Sequence, residues 1–267
     1  MGPPDPVIGL LTDYGPGGEH VGALHAEVAA RAPALRIVDL AHDIPPGDIA
    51  QGAVLLARLA ARLPRAVHVA VVDPGVGGPR RAAALSLPGG GALVGPDNGL
   101  LAPAARALGA VAAVSLPPLG PERPATFHGR DLFVPAAVRL ALGEPLAALG
   151  EPFPAGDLVP ADLPAATVSD GELRARVLGT DRYGNLQLLA GAADLDALGA
   201  GPGDRVWVAV GDRRHPATVA RTFGDVAPRA TLVHIDSHGH VAVAVNGRDA
   251  ARRIEATPGM WLRIGRW

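Results

Sequence analysis

Residues 66–80 read AVHVAVVDPGVGGPR, and this stretch decides the fold. Ala66 to Val72 is a nearly continuous apolar run, the character of a strand buried on both faces, and Pro74-Gly75 ends it abruptly. Asp73 therefore stands at a strand's carboxyl end, with Arg80 and Arg81 a short glycine-rich loop away. Open α/β sheets keep their ligands and chemistry at that edge.

Outward from this strand, short Val/Ile/Leu-rich runs alternate with alanine-rich helical patterns, the signature of βαβ units and a mainly parallel sheet between helices. Strands are expected at 7–11, 36–40, 66–72, 82–87, 92–95 and 111–116. Helices are expected at 19–32, 48–63, 100–108 and 131–142, the second opening on a Gly47-Asp48 cap after Pro45-Pro46. From Phe153 the text turns to Pro, Ala, Asp and Gly without periodicity. Beyond it come seven short strand-and-turn runs and one weak helix, which indicate an antiparallel barrel or sandwich. The expected division is an α/β domain over 1–152, a linker over 153–170 and a smaller all-β domain over 171–267.

Composition excludes several functions. The 267 residues are 48% hydrophobic and 19% charged, carry a net charge of −2 and include no cysteine. Disulfides, thiolate metal sites and cysteine nucleophiles are thereby ruled out. Aromatic side chains are few and no basic block appears, which argues against a nucleic-acid partner. No apolar stretch reaches the ~18 residues that cross a bilayer. Residues 1–6 lead into the first strand without a basic, cleavable leader, so a cytoplasmic protein is expected.

Three carboxylates fall at expected strand ends: Asp13 in Leu11-Thr-Asp-Tyr-Gly15, Asp73, and Asp97 in Pro96-Asp-Asn-Gly99. Such positions suit sugar hydroxyls, although Asp13 as a helix cap and Asp97-Asn98 as a turn are equally ordinary uses. His128, in Phe127-His-Gly-Arg-Asp131, has the near-neutral titration suited to orienting or deprotonating water, but it also suits a helix start. No His-Glu-x-x-His pair is present, the His-x-His run at 238–240 falls in a second-domain hairpin connection, and Arg80 beside Asp73 would repel a cation, so no metal is expected. In the second domain, Asn185 could read a purine edge and Asp181 could hold an ammonium. A hairpin turn explains the same residues, as it does Ser237 within 236–240 and Asn246-Gly247.

Taken in order, LTDYG at 11–15, HDIPPGD at 42–48, VDPGVG at 72–77, PDNGL at 96–100, FHGRD at 127–131 and DRYGN at 181–185 resemble the S-adenosyl-L-methionine hydroxide adenosyltransferase family, whose relatives include fluorinating and chlorinating enzymes. The resemblance implies hydrolysis of S-adenosylmethionine to adenosine and L-methionine, by water or hydroxide attacking the ribose 5′ carbon, with no cofactor. It implies that Asp73, Arg80 and His128 surround the nucleophile. By the same resemblance Asp13 binds the ribose, and Tyr14, Asp97 and Asn98 are expected among the substrate-binding residues. Asp181 and Ser237 take the methionine end, and Asn185, Phe223 and Asn246 the adenine. The family's trimers, with sites shared between neighbouring subunits, imply the same assembly here.

Halogenating relatives are similar in layout but carry an aromatic where Asp73 stands. They tend to have Trp in place of Gln187 and Arg in place of Val245, which favours the water-using branch. A halide-dependent halogenase and a non-catalytic S-adenosylmethionine or adenosine binder are the competing readings.

Overall fold

The computed structural model describes residues 7–120, 122 and 124–267, and it divides into two compact units between Asp162 and Leu163. The expected lead-in at residues 1–6 lies outside the described residues.

The first unit runs β1 (Val7–Thr12), α1 (Glu19–Arg31), β2 (Arg36–Ala41), α2 (Ile49–Ala60), β3 (Val67–Val71), β4 (Ala82–Ser86), β5 (Ala92–Pro96), α3 (Ala102–Leu108), β6 (Ala112–Ser115), α4 (Val134–Ala141) and β7 (Glu151–Phe153). Its sheet has the order β2-β1-β3-β5-β4-β6-β7. The first four neighbours are parallel, and β4, β6 and β7 extend them in antiparallel pairs. Connections leave β1 and β3 in opposite directions, so the carboxyl ends of these two strands flank the crevice where such sheets take ligands.

Helices cover both faces because β3 alternates its side chains. Val67, Val69 and Val71 pack with Leu24 and Val28 of α1 and Val134, Ala137 and Val138 of α4. Ala70 and Val72 face the other way, towards Ala53 and Leu56 of α2 and Ala104 of α3. His68 is fully buried in this strand. Its Nε2 donates to the Leu63 carbonyl at 3.0 Å, and burial pulls its pKa down, so it stays neutral. Gly9 makes the room: a Cβ there would stand 2.6 Å from His68 Nδ1.

The helix expected at 131–142 begins differently. Gly129–Phe133 forms a π-turn, with Val134 N–H donating to the Gly129 carbonyl, before α4 proper. Pro135 has no N–H to continue the α-helical ladder, and one wide turn absorbs the loss.

The stretch expected as a linker is partly structured. Phe153 ends β7, Leu158 is buried with the α2/α3 face, and Val159 N–H donates to Asp97 at 2.8 Å. The second unit contains β8 (Thr167–Ser169), β9 (Glu172–Thr180), β10 (Leu186–Gly191), α5 (Ala192–Ala197), β11 (Arg205–Val210), β12 (Arg213–Val219), β13 (Thr231–Ile235), β14 (His240–Val245), α6 (Ala250–Ile254) and β15 (Trp261–Arg266). Strands β9-β10-β14-β13-β12-β11-β15 pair in that order and close back on β9, with β8 added alongside. This is a closed, seven-stranded and mostly antiparallel barrel, and only β12 and β13 run parallel. Closure removes exposed strand edges while Leu173, Val177, Val206, Val208, Val243 and Ile264 fill the interior.

Candidate active site

The carboxyl ends of β1 and β3 open into a cleft of about 360 Å³ whose lining includes Asp13, Tyr14, Gly47, Asp73, Thr126 and Gly129. Asp73 follows β3, and its side chain is 4% exposed. Arg80 Nε donates to both of its oxygens, at 3.0 and 3.1 Å, and Nη2 donates to Oδ2 as well. The same Nη2 lies 2.7 Å from His128 Nδ1. Buried Phe133 backs the group, 5.4 Å from the Arg80 guanidinium and edge-on to the His128 ring. Residues distant in sequence thus form one chain: Asp73, Arg80, His128.

This chain fixes a tautomer. A guanidinium only donates, so His128 Nδ1 must accept and the ring proton sits on Nε2. Burial, reinforced by the Arg80 charge, lowers the His128 pKa and keeps the ring neutral. His128 therefore offers an N–H donor at Nε2, not a lone pair. Arg130 and Asp131 pair with each other at 2.8 Å.

Asp13 Oδ2 accepts from the Gly47 backbone N–H at 2.8 Å. Tyr14 is held protonated by burial, then by the negative charges of Asp13 and Asp73. Its hydroxyl approaches Gly129 so closely that a Cβ there would lie 2.6 Å away. Gly47 and Gly129 were not singled out as site residues, yet each lies inside a quoted motif.

Asp97 and Asn98 do not line this cleft. Asp97 is buried, ion-paired with Arg81 at 3.2 Å and bonded to Val159 N–H. Asn98 Nδ2 donates to the Val72 carbonyl and its Oδ1 accepts from Leu100 N–H. Both brace strand ends from behind. The Arg81 guanidinium carbon lies over the Phe153 ring, 3.9 Å from its centroid, which separates its role from that of Arg80.

The second unit holds another cleft, of about 810 Å³, lined by Tyr183, Asn185, Phe223, Val245, Arg248 and Asp249 among others. Asp181 Oδ1 takes the Tyr183 and Asn185 N–H groups, and Oδ2 takes Asn185 Nδ2. The Asp181 carboxylate therefore orders its own turn. Asn246 Nδ2 donates to the Val226 carbonyl, while its neighbours Val245 and Gly247 line the cleft. Ser237 is exposed in the β13–β14 turn, at the other end of that hairpin from Asn246. The sequence reading missed Arg248, Asp249 and Arg252 in this lining. Asp249 caps α6 by accepting from Arg252 N–H, a signal that an Asp before Ala-Ala-Arg-Arg already carries.

Among the described residues no group of three or more His, Cys, Asp or Glu side chains is placed to hold a metal ion, and no helix is long and apolar enough to cross a membrane.

Comparison with known proteins agrees across both units. Residues 8–150 match the family model of the SAM hydroxide adenosyltransferase N-terminal domain, and residues 175–263 that of its C-terminal domain. The (R)-S-adenosyl-L-methionine hydrolase of Salinispora tropica is 48% identical over 265 residues, 98% of each chain. The protein of the same name from Thermus thermophilus is 40% identical, over 96% of this chain and 98% of that one. A fluorinase from Nocardia brasiliensis is more distant, 25% identical over 97% of this chain and 96% of its own. Among solved structures, an uncharacterized conserved protein from Thermotoga maritima superposes with a TM-score of 0.88 at 30% identity, covering 97% of this chain and 100% of that one. With both halves matched and close relatives spanning nearly its full length, the chain belongs to the SAM hydroxide adenosyltransferase family.

Proposed function

We propose that this enzyme hydrolyses S-adenosyl-L-methionine to adenosine and L-methionine, and that it takes the (R) configuration at sulfur for which its relatives are named. The observation that carries the reading is the linked Asp73–Arg80–His128 set, which reaches the lining of the cleft at β1 and β3 through Asp73. A sulfonium is already a good leaving group. The C5′–S bond breaks with its electron pair going to sulfur, and a C5′–O bond forms from water, which loses one proton.

Arg80 and His128 are the donors that hold and polarise that water. With Nε2 protonated, His128 stabilises developing hydroxide by donation. Asp73 aligns Arg80, its oxygens being engaged by the guanidinium, and the water proton leaves to solvent. The Asp73 carboxylate also offsets the Arg80 charge, which makes the site a poor one for halide. Alignment of water with the 5′ carbon supplies much of the acceleration.

Asp13 is assigned to the ribose hydroxyls through the oxygen not taken by Gly47, with Tyr14 walling the cleft. Asn185, Phe223 and the backbone around Asn246 form the adenine side. Ser237 is assigned to the methionine arm, and Asp181 acts through the Asn185 turn it orders. Asp97 and Asn98 support strand ends and leave the substrate to their neighbours. The reaction needs no cofactor. Each unit offers its own cleft, which supports a homotrimer in which one subunit's first unit works with a neighbour's second. The substrate, made and used inside cells, puts the enzyme in the cytoplasm.

The test incubates purified protein with each sulfur epimer, with and without halide, and separates the products. Adenosine from the (R) epimer without halide is the expected result. A halogenated nucleoside would replace the reading by halogenation, and saturable binding without turnover would replace it by sequestration.

A further inference from the structure

Apart from the Gly47 N–H that engages Asp13, the HDIPPGD segment, residues 42–48, is unused in the chemistry described above, yet it touches the loop carrying Asp13 at both of its ends. At the near end, His42 is 8% exposed and Thr12, the last residue of β1, is fully buried. Thr12 Oγ1 lies 2.8 Å from His42 Nδ1, and His42 Nε2 lies 3.0 Å from Asp39 Oδ1, which also receives His25 at 2.9 Å. Thr12 Oγ1 accepts from Tyr14 N–H at 3.2 Å, and the His42 carbonyl accepts from Gly15 N–H at 2.9 Å. At the far end, Gly47 donates its N–H to Asp13 Oδ2. Gly47 has a φ of +76°, the left-handed region glycine tolerates best.

The contacts run in series: His42 Nε2 meets the Asp39 carboxylate, His42 Nδ1 meets the Thr12 hydroxyl, and the Thr12 oxygen receives Tyr14 N–H. A hydroxyl, an imidazole and a carboxylate in series have the form of an activated nucleophile. Here the hydroxyl is fully buried and already engaged by Tyr14 N–H, so no substrate atom can reach it. Burying a polar threonine at a strand end is costly unless its bonds are made, and these bonds all converge on the backbone flanking Asp13.

We propose that the buried His42–Thr12 pair is a positioning device: with Gly47 at the opposite end of the segment, it fixes the backbone on either side of Asp13 so that the free carboxylate oxygen meets the ribose hydroxyls. This rests on the assignment of Asp13 to the ribose. His42 and Thr12 touch no substrate, and they set sugar recognition through Asp13.

The probe is the ratio of dissociation constants for 2′-deoxyadenosine and adenosine, measured by calorimetry on the full-length protein. A charge-assisted bond to the 2′-hydroxyl gives a ratio of about 10 or more in the native protein. Asp13→Asn should bring it to about 1–2. Thr12→Val, which keeps the shape and removes the hydroxyl, should lower it to below about 3, and Thr12→Ser should restore it. Should Thr12→Val fail to fold, His42→Phe reads the same ratio. If Asp13→Asn collapses the ratio while folded Thr12→Val or His42→Phe keeps it, the positioning role is wrong and the ribose assignment stands. If Asp13→Asn leaves the ratio unchanged, the ribose assignment fails and the positioning role with it.

Discussion

Arg80 ties a buried carboxylate to a histidine that lies far away in sequence, and in doing so it decides which nitrogen of that ring carries the proton. Lysine in its place would keep a positive charge but lose the fork that reaches Asp73 and His128 together. Arg80→Lys should therefore lower kcat by about 100-fold while changing adenosine affinity less than about 3-fold. Equal losses in turnover and binding would contradict the assigned role. The His128 shift sets a second expectation. A ring whose pKa is depressed stays neutral through its ordinary range, and protonation at Nδ1 would set two donors against each other. Turnover should therefore hold level through neutral pH and fall only below about 6.5. An acid limb at or above that value, removed by His128→Asn, would count against the neutral donor. Asp97 shows the limit of reading single residues. Its place at a strand end was visible, but nothing local indicated that its side chain faces Arg81 and the returning Val159 backbone instead of the crevice.

Periodic elements reveal themselves in sequence and very short ones do not. The apolar runs of β3, β11 and β14 announced themselves because nearly every residue in them is buried. By contrast β7 and β8, three residues each, carry no period, and they exist because neighbouring strands accept them as partners. The start of α4 was misjudged for a different reason: Pro135 converts the expected α-helical opening into a π-turn that carries Gly129 up against Tyr14. At this scale the contact between β1 and β3 is the sharpest test. Gly9→Ala would force a methyl into His68, and it should cost about 1–3 kcal/mol, read as a lower Tm. An unchanged Tm would mean that the two strands are not packed as described.

Across the whole molecule, the ordered motifs pointed to Asp73, Arg80 and His128, which the fold links together, and strand ends in a doubly wound sheet share one edge whatever separates them in sequence. Which second-unit residues face a cleft was less legible. That depends on contacts distant in sequence, such as the Val226 carbonyl that takes Asn246 Nδ2. If subunits complete one another's sites, specific activity should fall on dilution in step with loss of the trimer by light scattering; a fully active monomer would refute that assembly. The central claim is that water, held by Arg80 and His128, attacks the 5′ carbon. It is tested most directly by running one turnover in ¹⁸O-labelled water and weighing both products: the label should appear in adenosine and be absent from methionine, whereas labelled methionine or unlabelled adenosine would contradict it.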